Sequence, residues 1–358
     1  MYTSVYAAIL AGGHGTRFWP RSRKRNPKQL LDIIGSESMI RLTLARIEPY
    51  IPLDNLFIIT SRDLAPLISD HLPQLKPGNI LAEPCGRNTA PALSLAAAHL
   101  LVQDPDSVMV VLTADHLIQK KSSFLNLLNK GVELARNSDH LITLGITPAF
   151  PETGYGYIQM GECIDNEHLC YRVKRYVEKP DRKTAQAYLK DGGYLWNSGM
   201  FIWRTQAFWN ALEKFLPAMH SQFCLIKDSL EGEGYDETLR RVYETVESIS
   251  VDYGIMEKSD RVLVIRADIG WNDVGSWTAL EQILEKGENG NIIVGHHLGI
   301  DSQNIIAYSH KKLLATIGIK DLIIVDTDDA LLVCHKDRAQ DIKNLVSLLE
   351  QKGMEEYL

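Results

Sequence analysis

The stretch AAILAGGHGTRFWPRSRKRNPK, residues 7–28, decides how the rest of the chain is read. It continues a short apolar run that starts at Val5 and breaks after Leu10 and Ala11 into a loop holding Gly12, Gly13 and Gly15. The run predicts a strand. The glycines after it leave no Cβ between backbone N–H groups and an approaching anion. Arg17 then adds a planar guanidinium and Lys28 a point charge, the two cations a polyphosphate calls for. Two commoner nucleotide loops are excluded. Gly13-His14-Gly15-Thr16-Arg17 continues with Phe18 where the dinucleotide fingerprint requires a third glycine, and no Gly-Lys pair exists anywhere to serve a P-loop.

A chain of 358 residues, 45% hydrophobic and 23% charged, can bury a large core, and one large domain with a smaller companion is expected. The net charge of −7 argues against nucleic acid or an anionic membrane as the main partner. Apolar runs such as residues 108–112 fall far short of the ~20 residues that span a bilayer. With the first strand beginning near Val5 there is no room for a signal peptide, so a cytoplasmic address is expected. Cys85, Cys163, Cys170, Cys224 and Cys334 are odd in number and never spaced C-x-x-C, which suggests neither a disulfide framework nor a zinc site. His296-His297 beside Gly295 reads as a polar loop.

Strand-like runs at 5–10, 56–60, 80–82 and 108–112 alternate with helix-like segments at 39–48, 64–71, 89–102 and 124–137. That alternation predicts parallel strands covered by helices, with Thr89 capping the helix that follows it. Ligands of open parallel sheets sit beyond the carboxyl ends of strands, which is where the glycine loop, Glu83 and Asp115 fall. Glu152 to Tyr157, Glu178 to Asp181 and Trp196 to Met200 read as substrate-contacting turns. A helical stretch over 205–247 follows, then Ser250-Val251-Asp252-Tyr253 and a tryptophan-flanked loop over 270–277. Beyond the polar residues 286–291, short β-like runs at 304–308, 313–317, 322–325 and 330–334 and a helix over 337–350 predict a small β-rich appendage.

Taken in order, the glycine loop, Glu83-Pro84 with Gly86-Arg87-Asn88-Thr89-Ala90-Pro91-Ala92, Thr113-Ala114-Asp115-His116, Glu178-Lys179-Pro180, Trp196-Asn197-Ser198-Gly199-Met200-Phe201 and Trp271-Asn272-Asp273-Val274-Gly275-Ser276-Trp277 resemble the mannose-1-phosphate guanylyltransferases, also called GDP-mannose pyrophosphorylases. The resemblance covers nearly the whole chain. It implies an α/β fold, a Rossmann-like, mainly parallel mixed sheet forming a nucleotidyltransferase domain over 1–286, with a small β-rich C-terminal domain over 287–358. Longer bacterial members add a cupin-class isomerase domain, and this chain resembles the short, monofunctional type.

The implied reaction transfers GMP from GTP to α-D-mannose 1-phosphate, giving GDP-mannose and pyrophosphate. The nucleophile is already an anion, so catalysis must come from holding two repelling anions together and stabilising charge on the α-phosphoryl oxygens. Mg²⁺ or another divalent cation is implied, with Asp115 and Asp273 as its ligands. Without Asp273 as a partner, Asp115 reads more readily as a helix N-cap or turn former. Arg17 and Lys28 are assigned to the triphosphate, and Leu10, Ala11, Gly12, Gly13, Gly15 and Thr16 to the nucleotide loop. Lys179 is assigned to the sugar phosphate, and Glu178, Asn197, Gly154, Tyr155 and Gly156 to the sugar. Guanine offers N1–H and N2–H as adjacent donors, and Glu83 is the carboxylate expected to accept them, with Asn88 nearby; the rival readings are Glu83 as an N-terminal partner of the following helix and backbone groups as the selectors of the base. Arg21, Arg23, Lys24 and Arg25 are expected to form a solvated basic face or line the entrance, and Trp196, Trp271 and Trp277 to pack the loops. The C-terminal segment is the expected homodimer surface. A different sugar or base, or a sensor that binds without turnover, are the alternatives.

Overall fold

Strand β1, Val5–Leu10, buries its four inner residues on both faces, which is why it reads as a continuous apolar run. It lies in a computed structural model that describes residues 4–167 and 169–358. After it come β2 (Leu56–Ser61), β3 (Ile80–Glu83), β4 (Val108–Thr113), the two-residue β5 (Leu117–Ile118), β6 (Leu141–Ile146), β7 (Tyr157–Asp165), β8 (Cys170–Val177), β9 (Tyr194–Arg204), β10 (Val262–Ala267) and the two-residue β11 (Trp271–Asn272). Nine of these form one mixed sheet in the order β3-β2-β1-β4-β9-β6-β10-β8-β7. Its first half, β3-β2-β1-β4, is parallel. β9 enters antiparallel to both β4 and β6, and β7 and β8 pair antiparallel as well.

The helix Thr89–Gln103 is apolar nearly all round because it is buried nearly all round. Its cap is Asn88 rather than Thr89. Asn88 takes a left-handed φ of 70° and its side chain accepts the Thr89 N–H, which leaves the Thr89 hydroxyl to accept the N–H of Val251 at 2.9 Å.

Two compact units result. One comprises Met1–Gly12, Leu44–Ala114 and Ile118–Trp271, and holds the nine-stranded sheet. The other comprises Gly13–Thr43, Asp115–Leu117 and Asn272–Leu358. It contains β12 (Ile292–Ile300), β13 (Ile306–Ile317), β14 (Leu322–Asp326) and β15 (Leu331–His335), in that order, with only the last pair antiparallel. In sequence the second unit is discontinuous: the glycine-loop segment contributes Phe18, Trp19, Leu31 and Met39 to the same core as Trp277, Ile306, Tyr308 and Ile342.

Three local expectations change within that second unit. Residues 304–308 and 313–317 belong mostly to one long strand, β13, and His296-His297 lies in β12 rather than in a loop. The sheet tolerates these histidines because the His297 ring bonds the Thr316 hydroxyl at 2.8 Å, and a bulge at Gly295, φ +103°, shifts the register before it. The basic cluster is only partly a solvated face. Arg21 bonds Asp32 at 2.5 Å and lies 4.6 Å from the centre of the Tyr308 ring, while Arg23 bonds Asp329 at 2.8 Å and the carbonyl of Tyr357. Their planar guanidiniums staple the glycine-loop segment to the C-terminal one, and Lys24 and Arg25 are the ones left exposed.

Candidate active site

The glycine loop is open where an anion needs it open. Gly12 and Gly13 are exposed, and a Cβ on either would meet nothing within 4 Å. Among the described residues, no protein acceptor takes the N–H groups of Gly12, Gly13, His14 or Gly15. Gly15 does a different job. Its φ is +66°, and a Cβ there would collide with the Cβ of Lys28, so only glycine lets the loop close over that lysine. Thr16 and Arg17 follow in a single 3₁₀ turn, Thr16–Phe18, anchored by buried Phe18. Both are exposed, and the Arg17 guanidinium makes no hydrogen bond or ion pair to the described residues.

Lys28, by contrast, is buried. Its ammonium lies 2.7 Å from Asp115 Oδ2 and 2.9 Å from the main-chain oxygen of Asp273. Burial raises the Asp115 carboxyl, but the charge of Lys28, then that of His116, and the Lys28 hydrogen bond outweigh it and hold the group below the ordinary carboxylate range. Asp273 is shaped by its loop: its Oδ1 accepts the Gly275 N–H at 3.1 Å, and the neighbouring Asn272 side chain accepts from Val274, whose φ is +48°. Lys28, Asp115 and Asp273 are therefore brought together by the glycine-loop unit itself. The oxygens gathered here already hold one cation, the Lys28 ammonium, through the Asp115 carboxylate and the Asp273 main chain. No group of three or more His, Cys, Asp or Glu side chains among the described residues forms a metal cage, so a hard ion there would rely on two carboxylates with phosphate and water.

A second cluster forms in the sheet unit. Asn197 lies in β9, not in a turn. The strand continues through Trp196 to Met200 because Asn-Ser-Gly builds a bulge: Asn197 Oδ1 accepts the Gly199 N–H at 3.0 Å, the Ser198 hydroxyl bonds the Leu144 carbonyl at 2.6 Å, and Gly199 takes φ +69°. The Asn197 N–H bonds the Gly156 carbonyl at 2.8 Å. Gly156 is close-packed: a Cβ on it would collide with Glu178 Oε2. Glu178 Oε1 holds the Lys179 ammonium at 2.9 Å, which keeps that ammonium above its usual range, and Lys179 itself takes a left-handed φ of 44°. Glu178 Oε2 is buried without a partner among the described residues. Gly154 is tied by its N–H to Glu152, and the Tyr155 ring packs edge-on against Trp196 and Trp271, both at 5.2 Å. Trp196 and Trp271 therefore pack loops, and so does Trp277, 1% exposed against Phe18.

Asp252 joins this cluster, and the sequence reading misses it. It opens a five-residue π turn, Asp252–Met256, and its Oδ1 accepts the Asn197 side-chain N–H at 2.7 Å and, more distantly, the Tyr176 hydroxyl at 3.4 Å. Burial, then the charge of Glu178, pushes its carboxyl up to about 6. The only signal is an aspartate between two apolar or aromatic neighbours, Val251 and Tyr253.

Glu83 and Asn88 belong to the sheet unit and have partners of their own. Glu83 ends β3 and is 5% exposed, with the Tyr243 hydroxyl donating to its Oε1 at 3.1 Å. Burial pushes this carboxyl up to about 7 against the pull of that hydrogen bond. Asn88 is exposed at the helix cap.

The family model for nucleotidyl transferases matches residues 6–290, and that for the MannoseP isomerase/GMP-like beta-helix domain matches residues 295–349. A mannose-1-phosphate guanylyltransferase of Klebsiella pneumoniae is 40% identical over 353 residues, 98% of this chain and 74% of that protein. The xanthan biosynthesis protein XanB of Xanthomonas campestris pv. campestris (strain B100) is 38% identical over 360 residues, 99% of this chain and 75% of that one. A crystal structure described as mannose-1-phosphate geranyltransferase from Thermus thermophilus superimposes with a TM-score of 0.88 at 31% identity, covering 97% of this chain and all of the other. With a domain match over most of its length and such relatives over nearly all of it, the chain belongs to the nucleotidyl transferase family, among the mannose-1-phosphate guanylyltransferases.

Proposed function

We propose that this protein transfers GMP from GTP to α-D-mannose 1-phosphate, releasing pyrophosphate and forming GDP-mannose. The observation that carries the reading is the likeness, over 98% of this chain and 74% of theirs, to proteins of that name, with the quoted motifs present in order. In the step itself, a phosphate oxygen of the sugar 1-phosphate forms a bond to the α-phosphorus of GTP as the bond to the β-phosphate bridging oxygen breaks. Pyrophosphate leaves with that electron pair.

Each group of residues has a share in this. The N–H groups of Gly12, Gly13, His14 and Gly15 and the Arg17 guanidinium, which have no partner among the described residues, bind the triphosphate, and Lys28 steadies the departing pyrophosphate. Asp115 and Asp273 hold Mg²⁺, which when bound neutralises charge on the phosphate oxygens. Lys179 offers its ammonium to the sugar phosphate, and Glu178, Asn197, Tyr155 and the backbone of Gly154 and Gly156 take the sugar hydroxyls. Glu83 reads guanine and Asn88 borders the nucleoside. Leu10, Ala11 and Thr16 shape the loop. The proposed address is the cytoplasm. No helix among the described residues is long and apolar enough to cross a membrane.

The test mixes purified protein and Mg²⁺ with each nucleoside triphosphate and a panel of sugar 1-phosphates, following pyrophosphate. Fastest turnover with GTP and mannose 1-phosphate is expected. No turnover with any pair rejects an enzyme, and preference for another pair rejects the assignment.

A homodimer is proposed through the outward side of β12 and β13. Leu298, Ile300, Leu313 and Ile317 are 58–72% exposed there, and Ile300 pairs with Ile317 across the ladder. Patches of this kind mark association surfaces. Ile317→Glu should convert dimer to monomer in sedimentation equilibrium with little loss of turnover, and an unchanged mass would reject this surface.

A further inference from the structure

We infer that Asp252 is the positioning residue of the sugar pocket, setting which way the Asn197 amide faces and hence which sugar hydroxyls the pocket accepts. The inference rests on the reading of Glu178 and Asn197 as sugar ligands, and it assigns a role that the motifs do not.

An amide side chain has two distinct faces, and a pocket that tells hydroxyl configurations apart must not let it flip. Asn197 is fixed at both ends. Its oxygen is held by the Gly199 N–H at 3.0 Å and its nitrogen by Asp252 Oδ1 at 2.7 Å. The first bond comes from its own bulge and would tolerate some rotation. The second comes from an acceptor that cannot serve an amide oxygen, so a flip that already sets two donors face to face at Gly199 also sets two acceptors face to face at Asp252. One Nδ2 hydrogen and one Oδ1 lone pair remain for a hydroxyl.

Asp252 is held in turn. The Tyr176 hydroxyl reaches the same Oδ1 at 3.4 Å, and the carboxylate begins a π turn, a rare local geometry that recurs at functional sites. Beside it Glu178 Oε2 is buried without a partner among the described residues, an expensive state unless something else fills it. Gly156 is what gives that oxygen its place, since a Cβ there would lie 2.3 Å from it. Glu178 thus offers an acceptor and Asn197 an oriented donor and acceptor, the complement of two neighbouring hydroxyls on a hexose. Burial next to Glu178, which raises Asp252, is the cost of packing two carboxylates into one pocket.

Steady-state kinetics of the full chain provide the test, with GTP and mannose 1-phosphate varied in turn and glucose 1-phosphate as competitor. Asp252→Ala should raise KM for mannose 1-phosphate about 10- to 100-fold, the scale of one charge-assisted hydrogen bond, with KM for GTP unchanged. Discrimination against glucose 1-phosphate should fall with it. Because Asp252 acts through Asn197, adding Asp252→Ala to Asn197→Ala should cost less than about 3-fold more. Fully additive losses, or an unchanged KM for the sugar phosphate, overturn the inference. Should Asp252→Ala fail to bind GTP, Asp252→Asn decides: it keeps an oxygen but loses the charge, and KM for the sugar should rise about 3- to 10-fold. An unchanged value there overturns it equally. If the unmodified protein turns over no sugar 1-phosphate, the reading of the pocket falls; if it does and only the Asp252 variants behave as wild type, the inference alone falls.

Discussion

Lys28→Met is expected to lower kcat by about 10²- to 10³-fold, the usual scale for removing one group that stabilises transition-state charge. The ammonium is buried and contacts both Asp115 and the Asp273 backbone, so its loss also leaves a half-buried carboxylate without its counter-charge. Arg17→Ala separates these two effects. The guanidinium has no partner among the described residues, so this variant should lose a similar factor in kcat while its Tm stays where it was. Gly15→Ala supplies the geometric check. A methyl group driven into the Lys28 Cβ, at φ +66°, must push the lysine aside or reshape the loop, and either outcome should reproduce most of the Lys28→Met defect. Stopped-flow or coupled pyrophosphate assays at saturating substrates give kcat. A loss below fivefold in Lys28→Met would remove the lysine from the catalytic set.

Lys28 also shows how far the sequence can be read. Its importance is visible from the cations following the glycines, since a charged pair beside a backbone anion nest has few other uses. Its partner is not visible, because Asp115 lies 87 residues later and meets it only through the fold. The same limit explains Arg21 and Arg23, which look like surface charges until Tyr308, Asp329 and Tyr357 arrive from the far end of the chain. Strands and helices of the first half are legible because their apolar periodicity is local. The Asn-Ser-Gly segment reads as a turn for a physical reason: a strand bulge and a turn both need small polar residues and a glycine at positive φ, and only the register against β6 separates them. The role of Asp252 is not legible in its quoted segment. A lone acid acquires meaning only when Asn197 and Tyr176 are seen to donate to it.

Glu83→Gln should lower the preference for GTP over ATP by roughly 10- to 100-fold, the worth of an ionised acceptor facing two guanine donors. The carboxyl is pushed from 4.5 up to about 7 by burial, so it is a full acceptor pair only above neutrality. Preference for GTP in the unmodified protein should therefore climb as pH rises through 7, while that of Glu83→Gln stays flat. Stability runs the opposite way. A group whose pKa is raised on folding binds its proton more tightly in the folded state, so its contribution is complete below pH 4.5 and is lost as pH rises through 7. Above that point the native protein bears a buried carboxylate relieved only by the Tyr243 hydroxyl, and the uncharged glutamine does not. Glu83→Gln should accordingly be the more stable of the two at pH 8, by up to about 3 kcal/mol in urea unfolding, with the gap closing toward pH 5. The two readouts divide the possible roles of this residue. A purely structural Glu83, placed only to satisfy Tyr243, yields the stability gain with no change in the GTP to ATP ratio of kcat/KM at any pH, and that result would discard it as the guanine reader. A Glu83 that reads the base loses selectivity where it gains stability, because the ionised form that guanine needs is the form that folding resists.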